Sequence, residues 1–152
     1  MLAPKPPPAP KPTITELQFI VGENTNPDLR GRPSPIVVRL YELKSLAAFQ
    51  GADFFGIFER DRESLGAELV MRDEVTLTPG EKRHAVRTLH HDTQYVGVVA
   101  AFRDLERARW RVTAPVVLNR TTRMEIRLDR HEMVIISSDP SSNSRPQHVM
   151  EQ

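Results

Sequence analysis

The longest apolar run in the chain, Tyr95 to Phe102 (Tyr-Val-Gly-Val-Val-Ala-Ala-Phe), limits what the rest can fold into. A strand that meets water on one face alternates apolar with polar residues. Here both alternating sets are apolar: Tyr95, Gly97, Val99 and Ala101 on one, Val96, Val98, Ala100 and Phe102 on the other. Such a segment predicts a central strand covered on both sides. One cover is a second sheet, and the other has to be a separate element.

That element is the helix-like stretch from Ser45 to Phe58. Ser45 can cap a helix whose broad apolar face is Leu46, Phe49, Phe54, Ile57 and Phe58. Four of the six phenylalanines lie between Phe49 and Phe58, which reads as core sealing the sheet rather than an exposed patch. Gly51 and Gly56 each cost about 1 kcal/mol relative to Ala in a helix, so a break near Gly56 is expected. Asp61 can cap a second helix from Arg62 to Leu69. The mixed run Glu59 to Glu63 reads as a solvated turn.

Strands fill the remainder. Thr13 to Val21 alternates, with Leu17, Phe19 and Val21 on one face, and Ile36 to Leu43 is apolar on both. Further strands run from Met71, from Arg83 to Leu89, from Arg109 to Thr113, from Arg123 to Leu128 and from Met133 to Ile136. Thr78-Pro79-Gly80-Glu81 has Pro and Gly at the two central positions of a type II turn. About eight short strands with one helical insertion, at roughly residues 45–69, predict a mainly β, two-sheet sandwich. Strand arginines Arg87, Arg109, Arg111 and Arg127 are expected on outer faces, where they oppose edge pairing.

Three segments lie outside that core. Residues 3–12, Ala-Pro-Lys-Pro-Pro-Pro-Ala-Pro-Lys-Pro, cannot join a ladder and read as a polyproline-II tether or as a plain disordered tail. Gly22 to Pro35 is a long loop dense in turn formers with almost no core residue, of a length that is usually either functional or mobile, and it reads as a contact surface. Residues 138–152 hold too little apolar area to offset ordering and are expected to be disordered. The organisation is thus a linker at 1–12, a sandwich domain at 13–137 and a tail at 138–152.

Several chemistries find no support. Lys plus Arg is 21 against Asp plus Glu 20, with signs interspersed, so no nucleic-acid partner is implied. No run approaches the length of a membrane span, and Met1-Leu2-Ala3 followed by prolines is not a signal peptide. Cysteine is absent, which removes disulfides, thiolate metal sites and a Cys nucleophile. His84, His90, His91, His131 and His148 have no metal spacing, and the adjacent His90 and His91 are expected to point apart. No phosphate-cradling glycine loop, nucleophile elbow or paired-carboxylate arrangement is present, so no cofactor, metal or catalytic residue is assigned. Asn119-Arg120-Thr121 matches the glycosylation pattern, a common false positive.

A set of segments resembles a known family. Pro35-Ile36-Val37-Val38-Arg39-Leu40-Tyr41-Glu42-Leu43, Phe49, Ala52-Asp53-Phe54-Phe55, Thr78-Pro79-Gly80-Glu81, Tyr95 to Arg103 and Trp110-Arg111 resemble the outer-membrane lipoproteins of type VI secretion systems, the TssJ (VasD or SciN) family, over roughly Ile14 to Ile136. The resemblance implies a transthyretin-like sandwich with a helical insertion between strands 2 and 3, and a structural job without catalysis. It implies a place at the periplasmic face of the outer membrane, held by a lipid anchor. It also implies the periplasmic C-terminal domain of TssM as partner, with other membrane-complex subunits met indirectly.

Contacts in the family involve the loop between the first two strands, which assigns partner binding to Asn24, Asn26, Asp28, Leu29, Arg30 and Arg32. The lipobox and its cysteine are not in this sequence, so an acylated residue lies upstream of Met1 or this member is not acylated. Two other readings share the architecture. One is an enzyme like the transthyretin-related hydrolases of purine catabolism, whose Tyr-Arg-Gly-Ser terminus is missing here. The other is a small-ligand carrier with a cavity between Phe54, Phe58 and Phe102.

Overall fold

A computed structural model describes residues 3–138 and the pair 147–148. The strands are β1 Ile14–Val21, β2 Ile36–Leu43, β3 Leu69–Leu77, β4 Lys82–Thr88, β5 Tyr95–Ala100, β6 Arg111–Pro115, β7 Thr121–Asp129, β8 Glu132–Ser138 and the two-residue β9 Gln147–His148. They form two sheets, ordered β4-β1-β7-β8-β9 and β3-β2-β5-β6. Among the described residues only the β1/β7 pairing is parallel, with Leu17 opposite Met124 and Phe19 opposite Ile126. The sandwich and its helical insertion between β2 and β3 are as the sequence predicts. The expected unstructured tail falls largely outside the described residues, although Gln147–His148 is paired to β8.

The central-strand expectation holds in detail. β5 lies between β2 and β6, and Val98 and Val99 are both fully buried although they point to opposite faces. Val96, Val98 and Ala100 face the other sheet, meeting Leu17, Phe19, Met124, Ile126, Leu128 and Ile135 in the main core. Val99 faces outward, where Phe49, Phe54, Ile57 and Leu65 cover it together with Tyr41 and Leu43. Gly97 is what lets the cover sit so close. A Cβ there would lie 2.8 Å from Phe49 Cζ, and the Phe49 ring is itself fully buried. The strand stops at Ala100 because the chain doubles back, Phe102 N–H donating to Ala100 O at 3.0 Å.

The cover differs from expectation in its subdivision. It is three short helices, α1 Ala47–Gly51, α2 Phe54–Glu59 and α3 Asp61–Leu65, closed by a 3-10 turn at Gly66–Glu68. The break falls at Ala52-Asp53 rather than near Gly56, because Asp53 caps α2 by accepting from Gly56 N at 2.7 Å. Ser45 caps nothing. Instead Glu68 Oε2 accepts from Ala48 N at 2.9 Å, using a residue twenty positions away that sequence spacing does not reveal. Of the four clustered phenylalanines, Phe49, Phe54 and Phe58 pack inward and Phe55 is exposed.

Three arginines rivet this cover to the sheet. Arg111, expected on an outer face, donates to the Phe49 and Ala52 carbonyls, ending α1 with a side chain from β6. Burial pushes its guanidinium below its usual range, against the opposing pull of Asp53. Arg39 stacks on the Phe58 ring at 3.9 Å and donates Nε to Glu74 Oε1 at 2.8 Å. Arg72 pairs with Asp61, which is buried and also lies 3.5 Å from the Tyr41 hydroxyl. The Glu59 to Glu63 run is therefore no solvated turn at its centre. A buried charge requires a partner, and the Asp61 carboxylate has Arg72 and Arg39.

β6 starts at Arg111 rather than Arg109, which frees Trp110 from strand alternation. Its ring meets Phe54 edge-on at 5.2 Å, and Phe54 stacks on Phe58 at 5.0 Å. Phe102 lies on the opposite side of the sheet, in the main core. The cavity required by a ligand carrier between Phe54, Phe58 and Phe102 cannot form, since the sheet itself separates those rings.

Pro79 and Gly80 form the expected turn, with Gly80 at φ 82 and Glu81 N–H donating to Thr78 O at 3.1 Å. This turn carries the chain from the edge of one sheet to the edge of the other. At the far end, buried Glu42 accepts from His90 N and Thr93 Oγ1, both at 2.9 Å, and so sets the corner between β4 and β5. The His90 and His91 rings stack at 4.2 Å rather than pointing apart.

Candidate partner-binding surface

Because β7 runs parallel to β1, the chain leaves both strands at the same end of the sandwich. The connection 22–35 therefore lies beside the β7–β8 turn. Antiparallel pairing of β5 with β2 brings the 101–110 connection there too. Three loops far apart in sequence thus share one pole.

The 22–35 loop has a locked base and a presented tip. At the base, Gly22 N–H donates to Leu128 O at 2.7 Å, and Thr25 Oγ1 donates to Gly22 O at 2.7 Å. Asn26 is the keystone. Its backbone N–H donates to Arg130 O at 2.8 Å, its Nδ2 donates to Pro35 O at 3.0 Å, and its Oδ1 accepts from Arg103 N at 2.8 Å. One residue, through its backbone and its side chain, thereby ties all three loops together. Asn26 adopts φ 56, a left-handed geometry that asparagine tolerates better than most residues. Thr25, Asn26 and Ser34 are buried, against the expectation of a loop with almost no core residue.

Asp28 organises the tip. Its Oδ1 accepts from Arg30 N and Arg32 N, both at 2.9 Å, and its Oδ2 accepts from Arg32 Nε at 3.1 Å. Those bonds, led by that from the Arg32 amide, hold its carboxyl below the usual carboxylate range despite partial desolvation. The turn they close leaves Leu29 entirely in solvent, at 108% of its reference exposure. A leucine held out by a closed turn, rather than left on a slack chain, costs less ordering entropy when a partner covers it.

The six residues assigned from sequence therefore divide. Asn24, Leu29, Arg30 and Arg32 are exposed at the pole, and Asp28 is half-buried and shapes the tip. Asn26 is 2% exposed and acts by positioning the loops rather than by touching a partner. Sequence reasoning missed the neighbours contributed by the other two loops. Arg103, Asp104, Arg107, Arg130 and His131 join Asn24, Asp28 and Leu29 around an open groove of about 840 Å³. Arg107 pairs with Asp104 at 3.5 Å. Arg103 and Arg130 have no side-chain partner among the described residues. The available signal was the charged run Arg103-Asp104 directly after the central strand, which the antiparallel β2/β5 register brings beside the first loop.

Elsewhere, His90, His91 and Asp92 bring donor atoms within 4.8 Å of one another, all exposed. His90 Nδ1 already accepts from Asp92 N at 3.1 Å, so one donor of the three is engaged. Among the described residues no helix is long and apolar enough to cross a membrane.

Comparison with known proteins identifies the fold and the family together. Residues 13–131 match the family described as type VI secretion lipoprotein, VasD, EvfM and TssJ. The crystal structure of the type VI lipoprotein TssJ1 from Pseudomonas aeruginosa is 39% identical, covers 84% of this chain and 97% of its own, and superposes with a TM-score of 0.81. Lip from Serratia marcescens, a membrane-bound component of the type VI secretion system, is 25% identical over 90% of this chain and 96% of its own, at a TM-score of 0.75. A chain in the solved structure described as the TssM C-terminal domain from EAEC is also 25% identical, over 80% of this chain and 98% of its own, at 0.67. No match was found among curated proteins. With the match spanning nearly the whole sandwich, this chain belongs to the type VI secretion lipoprotein family, a structural component of the secretion membrane complex and not an enzyme.

Proposed function

We propose that this chain is the periplasmic domain of an outer-membrane lipoprotein and that its loop pole holds the periplasmic C-terminal domain of TssM. The supporting observation is the Asn26 keystone, which fixes three loops into one surface while Asp28 presents Leu29 beyond them. That surface is rigid at its base, apolar at its tip and flanked by Arg103 and Arg130, which have no side-chain partner among the described residues, the combination expected of a docking site with a central anchor and a polar rim. The matching chain in the structure described as the TssM C-terminal domain supports the choice of partner. Other membrane-complex subunits are reached through TssM, and the outer membrane through a lipid on the N-terminal side.

The test is the affinity of purified Leu29→Asp/Arg30→Glu for the TssM C-terminal domain, measured by calorimetry. Both side chains are exposed, so stability should change by no more than about 0.5 kcal/mol. Affinity should fall at least tenfold, or about 1.4 kcal/mol. Unchanged affinity with an intact fold would remove this loop as the anchor.

A further inference from the structure

The opposite end of the sandwich has a feature that docking through the loop pole leaves unused. Strand register puts Ile14, Thr88, Thr121, Leu43, Tyr95 and Pro115 together at that end. The Pro-rich N-terminal segment leaves the domain there, and the connection 116–120 clasps its base. Asn119, at φ 61, donates its backbone N–H to Thr13 Oγ1 at 2.8 Å and its Nδ2 to Lys11 O at 2.5 Å. Ile14 N–H donates to Arg120 O at 3.0 Å, completing the clasp. Immediately before it, Val117 and Leu118 are 45% and 43% exposed. No other two consecutive large hydrophobics stand out in solvent among the described residues.

We propose that this end is a second, direct membrane contact: Val117 and Leu118 enter the headgroup region of the phospholipid leaflet to which the N-terminal segment is attached. Three observations select lipid over another occupant. The chain belongs to a lipoprotein family, so the end from which the tether leaves is the end kept near a bilayer. The clasp fixes the exit of the tether beside the apolar pair, so both reach the same surface. Lys11 and Lys44, exposed at this end and without an ion pair among the described residues, complement anionic headgroups. A short tether raises the effective lipid concentration, so a contact too weak to bind alone is still populated once the chain is anchored. The consequence is orientation: the clasped end faces the bilayer, and the loop pole faces away from it. This inference depends on membrane attachment and not on the identity of the partner at the loop pole.

The chain has no cysteine, so Leu118→Cys accepts a single environment-sensitive fluorophore. The full chain would be anchored through an N-terminal histidine tag to vesicles of phosphatidylethanolamine and phosphatidylglycerol carrying a nickel-chelating lipid. The expected result is a blue-shifted emission at position 118, quenched by a lipid-borne quencher, with neither effect for the same label at Leu29→Cys on the loop pole. Adding Val117→Asp should cut the quenched fraction by about twofold or more, since a charge resists entry into the interface. Unchanged emission at 118, or equal shifts at 118 and 29, would overturn the proposal. So would a shift that follows protein density rather than lipid, which would mean that a second copy covers the pair.

Discussion

The helical cover and the loop pole are both built on arginine, and they use it in opposite ways. In the cover, Arg111, Arg39 and Arg72 turn inward, onto helix carbonyls, the Phe58 ring and the buried Asp61. At the pole, Arg32 is held by Asp28, while Arg103 and Arg130 border the groove without a side-chain partner among the described residues. Packing explains the difference. The cover lies over β5 with Phe49 against Gly97, so any charge in that layer must be neutralised internally. The pole is held at its base by the bonds of Asn26 to loop backbone groups, so Arg103 and Arg130 are not drawn into its own stabilisation and border the groove. An arginine's place in the hydrogen-bond network, rather than its type, separates scaffold from docking surface.

That contrast can be broken most forcefully from the cover side. Phe49→Ala removes a fully buried ring from the layer over β5 and should cost about 3–5 kcal/mol in urea unfolding. A loss below about 1 kcal/mol would mean that the cover is not part of the cooperative core. Gly97→Ala tests the same contact from the strand: the added methyl meets the Phe49 ring and should cost about 1–3 kcal/mol by overpacking. A neutral result would show that the ring shifts freely.

The smallest effect concerns the pole and comes from acid. The Asp28 carboxyl is held below its ordinary value in the folded chain, so its contribution is fully present above about pH 4, its unfolded range. It is lost as pH falls through the lower, folded value. The amide resonances of Arg30 and Arg32, which donate to that carboxylate, should therefore stay constant down to about pH 4 and move only below it. Movement near neutral pH would show that the tip is not closed by Asp28.

Much of the cover and little of the docking pole could be read from the sequence. A run apolar on both alternations, such as Tyr95 to Phe102, has to be covered twice, and a phenylalanine cluster at helical spacing supplies the second cover. Both are local patterns. The helix breaks were misplaced because their causes are not local: Glu68 bonds the start of α1 and Arg111 bonds its end. At the pole, turn-forming composition flagged the first loop, but nothing in that composition distinguishes buried Asn26 from exposed Asn24. Arg103, Arg107 and Arg130 escaped because they reach the site only through strand pairing, the first two through antiparallel β2/β5 and Arg130 through parallel β1/β7. Asn119 shows the same limit in reverse, since a motif dismissed as a glycosylation false positive clasps the tether.

The most direct test of the division between scaffold and docking surface is hydrogen exchange of the chain with and without the TssM C-terminal domain. The expected result is new protection at residues 27–32, 101–107 and 129–131, with exchange across 47–65 unchanged. Protection of the helical cover with the three loops unaffected would contradict it.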